Sequence, residues 1–357
     1  MSITPHLLSD FGVSTEIPVM TPHNAMQNFI IDKQNPGIGY GTFGPRKGEW
    51  QIITKYAYDV SNTDVTKNHI TPLSYLRIDH GVDNKNNSFD PGHSGSLDIY
   101  HKNGQTYLLI ADKIGDAVDR YGTQLVRVPT ELVETNSTIA YSDLARLGTV
   151  NHIGSKNIGT PNRLEFAVSA DDQNIVIWVF NEATESLMGL SDIDGLLNQA
   201  AQTATKEMSL SGATPTEISN FSSSAKKALF KVRDIKGDTV SGCSLQGVAL
   251  TNGGSVYVAC ETAIGDPISQ ANKGGAKGIW RFKVGVNAVG VGDPTSITNN
   301  MWHKYYVAQG GTPASDIGVE VEGLQVVGDD LYLGVAYHGS DTATEKNRLY
   351  HFDKTLV

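Results

Sequence analysis

The residues best suited to chemistry are polar side chains that recur beside a leucine at the start of a β-like run. They are His93 ahead of Leu97, Glu165 after Leu164, Gln246 after Leu245 and Glu322 ahead of Leu324. His23, Asn24 and Gln27 hold the corresponding place near the N-terminus. Carboxylates, imidazoles and amides brought to one point suit several tasks. Oxygen ligands would hold calcium, amides and carboxylates would bind sugar hydroxyls, and two carboxyls about 5–10 Å apart would cleave a glycosidic bond. The same residues would also serve as the hydrated lining of a channel. A second group, Trp302 with His303, Tyr305 and Tyr306 in NNMWHKYYVAQGG, offers aromatic faces for stacking on sugar rings, or an outer strand packed on its neighbour.

Other catalytic signatures are missing: there is no HExxH, no GxSxG, no Walker loop and no Cys/His metal spacing. GIGYGTFG at 37–44 superficially matches a phosphate loop, but no helix signal follows it, so it reads as a turn and strand. Aspartate-rich turns such as DKIGDAVD (112–119) and SADD (169–172) would suit calcium, and Asp is equally the ordinary residue of a turn. No other cofactor is evident.

The elements that must position these groups form a degenerate repeat. Four hairpins align: SLDIYHKNGQTYLLIAD from Ser96, RLEFAVSADDQNIVIWVF from Arg163, SLQGVALTNGGSVYVACE from Ser244 and GLQVVGDDLYLGVAYH from Gly323. Each opens on a leucine, turns on Asn, Asp or Gly, and leaves on a β-branched or aromatic strand. Leu97, Leu164, Leu245 and Leu324 are 67, 81 and 79 residues apart. A looser fifth copy starts at Met26. Third strands follow in QLVRV (124–128), ALFKV (228–232), GIWRF (278–282) and RLYHF (348–352), with EWQII (49–53) in the first unit. Their alternation puts Arg127, Lys231, Arg281 and His351 on one face. Fourth strands fit TIAYSDL and SYLRI.

Units of about 70 residues with four antiparallel strands are the signature of propeller blades. The sequence therefore predicts an all-β chain, a single five-bladed β-propeller over residues 1–357; a pair of β-sandwiches would not explain the recurrent strand order. The last unit ends soon after its third strand, so its fourth would come from the segment before Met26. Residues 184–226 break the pattern. Leu187, Leu190, Ile193, Leu196 and Leu197 have helical spacing and a Ser/Thr-rich stretch follows, which predicts a partly helical insertion between the second and third strands of the third blade. Cys243 and Cys260 flank one hairpin, either opposite or one diagonal step apart, as a cross-strand disulfide or as two reduced thiols.

Composition narrows the partners. The net charge is −10, from 28 basic and 38 acidic residues. That disfavours nucleic acid, whose phosphates are bound by neutralisation, and a polybasic membrane anchor. No apolar run approaches the roughly 18 residues of a spanning helix, and no signal peptide is visible at the N-terminus. A soluble protein is expected, secreted or at the cell surface by an unmarked route, or cytoplasmic.

The hairpin GHSGSLDIYHKNGQTYLLIADK, the pair LQGVALTNGGSVYVACE and the closing VEGLQVVGDDLYLGVAYHGSDTATEKNRLYHFD resemble the helveticin J family of large heat-labile bacteriocins. The matching features are Gly92-His93 before a strand and the late hairpin from Glu322-Gly323-Leu324 to Val335. The resemblance implies a propeller-like antibacterial protein that engages a bacterial cell-surface glycan, and it carries over no catalytic residues. Three readings follow: a glycan-binding bacteriocin, a glycan hydrolase or lyase with Glu165, Glu322 and His93 about the axis, and a non-catalytic scaffold.

Overall fold

The computed structural model describes residues 6–11, 26–44, 50–59, 61, 70–81, 96–112, 122–149, 152–153, 156–157, 159–181, 186–194, 196–197, 207–208, 243–262, 276–283, 295–298, 318–338 and 344–354. The fold is all-β. After β1 (His6–Phe11), a first sheet is built from β2 (Met26–Ile31), β3 (Ile38–Phe43), β4 (Trp50–Tyr58) and β5 (Ile70–Asp79). A second follows from β6 (Leu97–Lys102), β7 (Gln105–Asp112), β8 (Gln124–Pro129) and, after α1 (Thr130–Val133) and β9 (Ser137–Ala140), β10 (Ala145–Thr149). A small ladder of β11 (His152–Ile153) and β12 (Lys156–Asn157) precedes the third sheet, β13 (Pro161–Val168), β14 (Asn174–Asn181) and β15 (Ser186–Asp192). Beyond β16 (Glu207–Met208) come a fourth sheet, β17 (Cys243–Leu250), β18 (Ser255–Thr262), β19 (Ala276–Lys283) and β20 (Thr295–Thr298), and a fifth, β21 (Gly318–Val327), β22 (Asp330–His338) and β23 (Thr344–Asp353).

Within each sheet these strands run as an antiparallel meander. The five expected hairpins are all present, and Asn103 and Gly104 take the positive φ of a tight two-residue turn (52° and 76°). GIGYGTFG is strand β3 with its turn. The N-terminal strand β1 pairs antiparallel with β23, His6 opposite His351, and is the fourth strand of the fifth sheet, the place expected for the segment before Met26.

The opening strands of the five sheets touch in a cycle: β2 with β6, β6 with β13, β13 with β17, β17 with β21, and β21 with β2. Apolar residues fill the spaces between neighbouring sheets. Ile53, Leu76 and Ile78 of the first sheet pack with Ile99, Leu108, Ile110 and Val126 of the second. Tyr100, Leu109 and Leu125 of the second pack with Leu164, Phe166 and Ile177 of the third. Because second strands are covered on both faces, they read as continuous apolar runs, and Ile175 to Val179 of β14 are all buried.

Three expectations change. Leu187 and Leu190, assigned to a helix by spacing, lie on β15, where Val179 faces Leu187 and Val176 faces Leu190. Pairing with the adjacent strand overrides a short three-residue periodicity. Helical backbone is confined to described positions between 193 and 197, and Ile193, Leu196 and Leu197 are buried against the third sheet. The third-strand position of that sheet is thus taken by β15, so the excursion begins after the third strand and not before it; ALFKV lies outside the described residues. TIAYSDL does not form the fourth strand of the second sheet. Its first residues form β9, which adds in parallel to β5 of the first sheet, while β10 takes the fourth place beside β8. SYLRI, by contrast, falls within β5 as expected. Of the two arrangements left open for the cysteines, the register gives the diagonal one: Cys243 faces Thr262 while Cys260 faces Leu245.

Candidate functional site

The cyclic contact leaves the free edge of every opening strand buried, where its amides and carbonyls need partners that no further strand provides. Side chains from neighbouring sheets supply them. Gln325 on β21 receives the Ile31 amide at 2.7 Å and donates to the Ile31 carbonyl at 2.9 Å, so its side-chain amide stands in for a strand. Asn347 accepts from the Met26 amide at 3.0 Å. Ser96 Oγ accepts from the Phe166 amide at 3.0 Å, and Asp98 Oδ2 from the Val168 amide at 2.7 Å. Asp98 is also paired with Lys33 at 3.3 Å; its burial raises the carboxyl above its ordinary range, against the pull of Lys33 and of the Val168 and Ile99 amides.

Glu165 belongs to this seam. It is fully buried; Ser96 Oγ donates to Oε2 and Arg163 Nε to Oε1, each at 2.5 Å. Gln246 donates to Glu320 Oε1 at 3.4 Å, from the fourth sheet to the fifth. The residues following the four aligned leucines, Asp98, Glu165, Gln246 and Gln325, are therefore all buried and all joined to a neighbouring sheet. Sequence reasoning found Glu165 and Gln246 but passed over Asp98 and Gln325, although the leucine register singled out both positions.

The other predicted residues lie where the opening strands lose register. Met26 faces Phe43 and Asn28 faces Thr42, which makes Gln27 the extra residue of a β-bulge. Asn162 of β13 and Gln246 of β17 are extra in the same way. In β21, Glu322 and Gly323 together oppose Gly334. Bulges re-aim a side chain away from the ladder. Gly323 takes φ +78°, and a Cβ there would collide with Asn28 Oδ1; one on Gly247 would come to 2.8 Å from the Leu324 amide nitrogen. Glycine at these places lets neighbouring opening strands approach closely. Four of the five opening strands thus carry a bulge, in the first residues of β2 and β13 and midway along β17 and β21, and three of the bulges bear Gln27, Gln246 and Glu322. Glu322 is buried, and Gln27 Oε1 is buried without a hydrogen-bond partner among the described residues. His23, Asn24, His93, Trp302, His303, Tyr305 and Tyr306 lie outside the described residues.

Close to the entry side of the opening strands, His80 and Asp112 are fully buried with Nε2 and Oδ2 3.2 Å apart, and the His80 ring stacks on Tyr141 at 4.5 Å. Asp112 of the DKIGDAVD turn is thereby occupied. At the opposite end, the SADD turn is tied by Asp172 to His101 and by the Asp171 amide to Asn252. Among the described residues no group of three or more His, Cys, Asp or Glu side chains is arranged to hold a metal ion. The basic face of the third strands is partly visible: Arg127 lies 5.0 Å over the Tyr107 ring and His351 stacks on Tyr332. No helix among the described residues is long and apolar enough to cross a membrane.

No curated protein sequence matches the chain. Among solved structures, the exo-β-1,3-galactanase of Phanerochaete chrysosporium with galactose aligns at a TM-score of 0.48 and 6% identity, over 96% of this chain and 64% of that one. The α-L-arabinanase of Penicillium chrysogenum with arabinobiose aligns at 0.42 and 10%, over 99% of both chains. The arabinanase Arb43A of Bacillus subtilis aligns at 0.39 and 10%, over 92% of this chain and 95% of that one. These likenesses assign no activity to the protein. The family model of the bacteriocin helveticin-J matches residues 58–355, which takes in the second to fifth sheets and β5 of the first. Over that span the chain carries the Glu322-Gly323-Leu324 hairpin in β21 and β22 and the Leu97 hairpin in β6 and β7, and it belongs to the helveticin J bacteriocin family.

Proposed function

We propose that this protein is an antibacterial, bacteriocin-like binding protein: one five-bladed β-propeller whose chain-entry face recognises a glycan on the bacterial surface. The cyclic contact of the five opening strands and the closure of β23 by β1 support the propeller. The observation that carries the binding reading is the set of bulges at which Gln27, Gln246 and Glu322 stand in three of those strands. Amides and carboxylates suit the dense hydroxyls of a polysaccharide, with Trp302 and Tyr305 as candidate stacking platforms. The target lies outside the producing cell, so secretion or surface display goes with this reading.

Binding is favoured over hydrolysis by the state of Glu165. Glycoside cleavage needs two carboxyls turned toward the scissile bond, whereas both oxygens of Glu165 are engaged by Arg163 and Ser96 inside the seam. The test is retention on isolated Gram-positive cell walls together with growth inhibition of a strain panel. Wild-type protein is expected to be retained and to inhibit at least one strain, and a Gln27→Ala, Gln246→Ala double variant to lose about tenfold in both. Neither retention nor inhibition by the wild type would overturn the reading; release of reducing sugar from the walls would favour the hydrolase.

A further inference from the structure

At the end of the opening strands opposite the bulges, three sheets meet on one imidazole. His101 at the end of β6 places Nε2 3.0 Å from Asp32 Oδ1 and Nδ1 2.9 Å from Asp172 Oδ2. Asp32 follows β2 in the first sheet, and Asp172 lies in the turn between β13 and β14 of the third. All three side chains are nearly buried, at 11% exposure for His101 and 8% for each aspartate. Asp32 Oδ1 also accepts from the Gln34 and Asn35 amides, and Gln34 Nε2 donates to Asp172 Oδ2. Asp172 holds a φ of +57°, and its Oδ1 is buried without a hydrogen-bond partner among the described residues.

We infer that Asp32, His101 and Asp172 form an ionic clamp, a doubly protonated imidazole between two carboxylates, which fastens the first three sheets together from acidic to neutral pH and opens in alkali. A neutral imidazole has one N–H and would leave one carboxylate facing a bare ring nitrogen, at a cost that burial enlarges. The other charges nearby do not replace it. Lys33 turns its ammonium to the Val168 and Ser169 carbonyls and to Asp98, and Lys102 pairs with Asp194. Asp171 receives Ser169 Oγ.

The electrostatics of the three groups agree with this geometry. Burial works against the imidazolium, but the hydrogen bonds and charges of Asp172 and Asp32 outweigh it and push His101 up to about 9. Burial likewise opposes the Asp32 anion, yet the His101 hydrogen bond and charge and the two backbone amides hold its carboxyl below the ordinary range. A raised histidine gives its full stabilisation below the unfolded value near 6.5 and loses it as pH rises through about 9. A lowered aspartate gives stability above the ordinary carboxylate value and loses it only as pH falls beneath that value.

The test compares thermal unfolding of the wild type and His101→Gln from pH 5 to pH 10. The wild type is expected to melt roughly 2–4 °C higher at pH 6, with the gap shrinking through pH 9. A gap unchanged from pH 6 to pH 10 would overturn the clamp. Should His101→Gln fail to fold, NMR titration of the His101 ring in wild-type protein decides: a midpoint above 8 sustains the clamp and one near 6.5 refutes it.

Discussion

The two ends of the opening strands solve one problem in opposite ways. At the hairpin end the ladders keep register up to their turns, and the sheets are fastened by charge, through His101 between Asp32 and Asp172, and by a neutral hydrogen bond from the Asp171 backbone amide to Asn252 Oδ1. Toward the entry side four of the five ladders lose register, at Gln27, at Asn162, at Gln246 and at Glu322 with Gly323. One end spends its polar groups on holding sheets together. The other breaks its ladders at polar residues, the ones that the proposed function assigns to a ligand. Between the two runs the seam of Asp98, Glu165, Gln246 and Gln325, which must be intact for either end to keep its shape.

The seam therefore gives the largest effect. Arg163→Ala would leave Glu165 buried beside Ser96 without its cation, and removing one member of a buried pair costs about 3–5 kcal/mol. Urea unfolding is expected to show that loss, and adding Glu165→Gln to the variant is expected to restore part of it. If Arg163→Ala were neutral, Glu165 would not be a seam residue, and its candidacy as a catalytic carboxylate would revive.

A smaller loss is expected from Gln325→Ala. It would orphan both the amide and the carbonyl of Ile31 in a buried edge, at about 1–3 kcal/mol. Hydrogen exchange at Ile31 should rise in this variant while exchange at Phe166, which is held by Ser96, stays as in the wild type. Equal changes at both would mean that the seams between sheets do not act separately.

The leucines were legible because strand pattern is local: Leu97, Leu164, Leu245 and Leu324 each open a hairpin whose partner lies within twenty residues. The pairing of β1 with β23 joins residues more than 300 positions apart. What was not legible depends on distance in sequence or on a register break. Met26 and Asn347 bond across 321 positions, and nothing near either residue announces it. Asp98 and Gln325 follow their leucines as plainly as Glu165 and Gln246 do, but His93 and Glu322 looked more chemical and drew attention from them. His101 was invisible for the same reason, since its two aspartates come from different sheets. The misreading of Leu187 and Leu190 arose because a seven-residue strand gives too few periods to distinguish three-residue from two-residue spacing.

The smallest expected change in stability belongs to Gln27, and it is the most informative about function. A buried amide oxygen without a hydrogen-bond partner costs stability, and replacing it with an apolar group of similar shape removes that cost. Gln27→Met should therefore unfold within about 0.5 kcal/mol of the wild type, or slightly above it. A residue kept polar against its own stability is the usual mark of a site that serves something other than the fold. If the entry end is the binding face, Gln27→Met will melt like the wild type and still lose retention on cell walls. If it melts like the wild type and is retained equally well, Gln27 is not a ligand contact, and the entry end becomes the second scaffold of a protein whose recognition surface lies elsewhere.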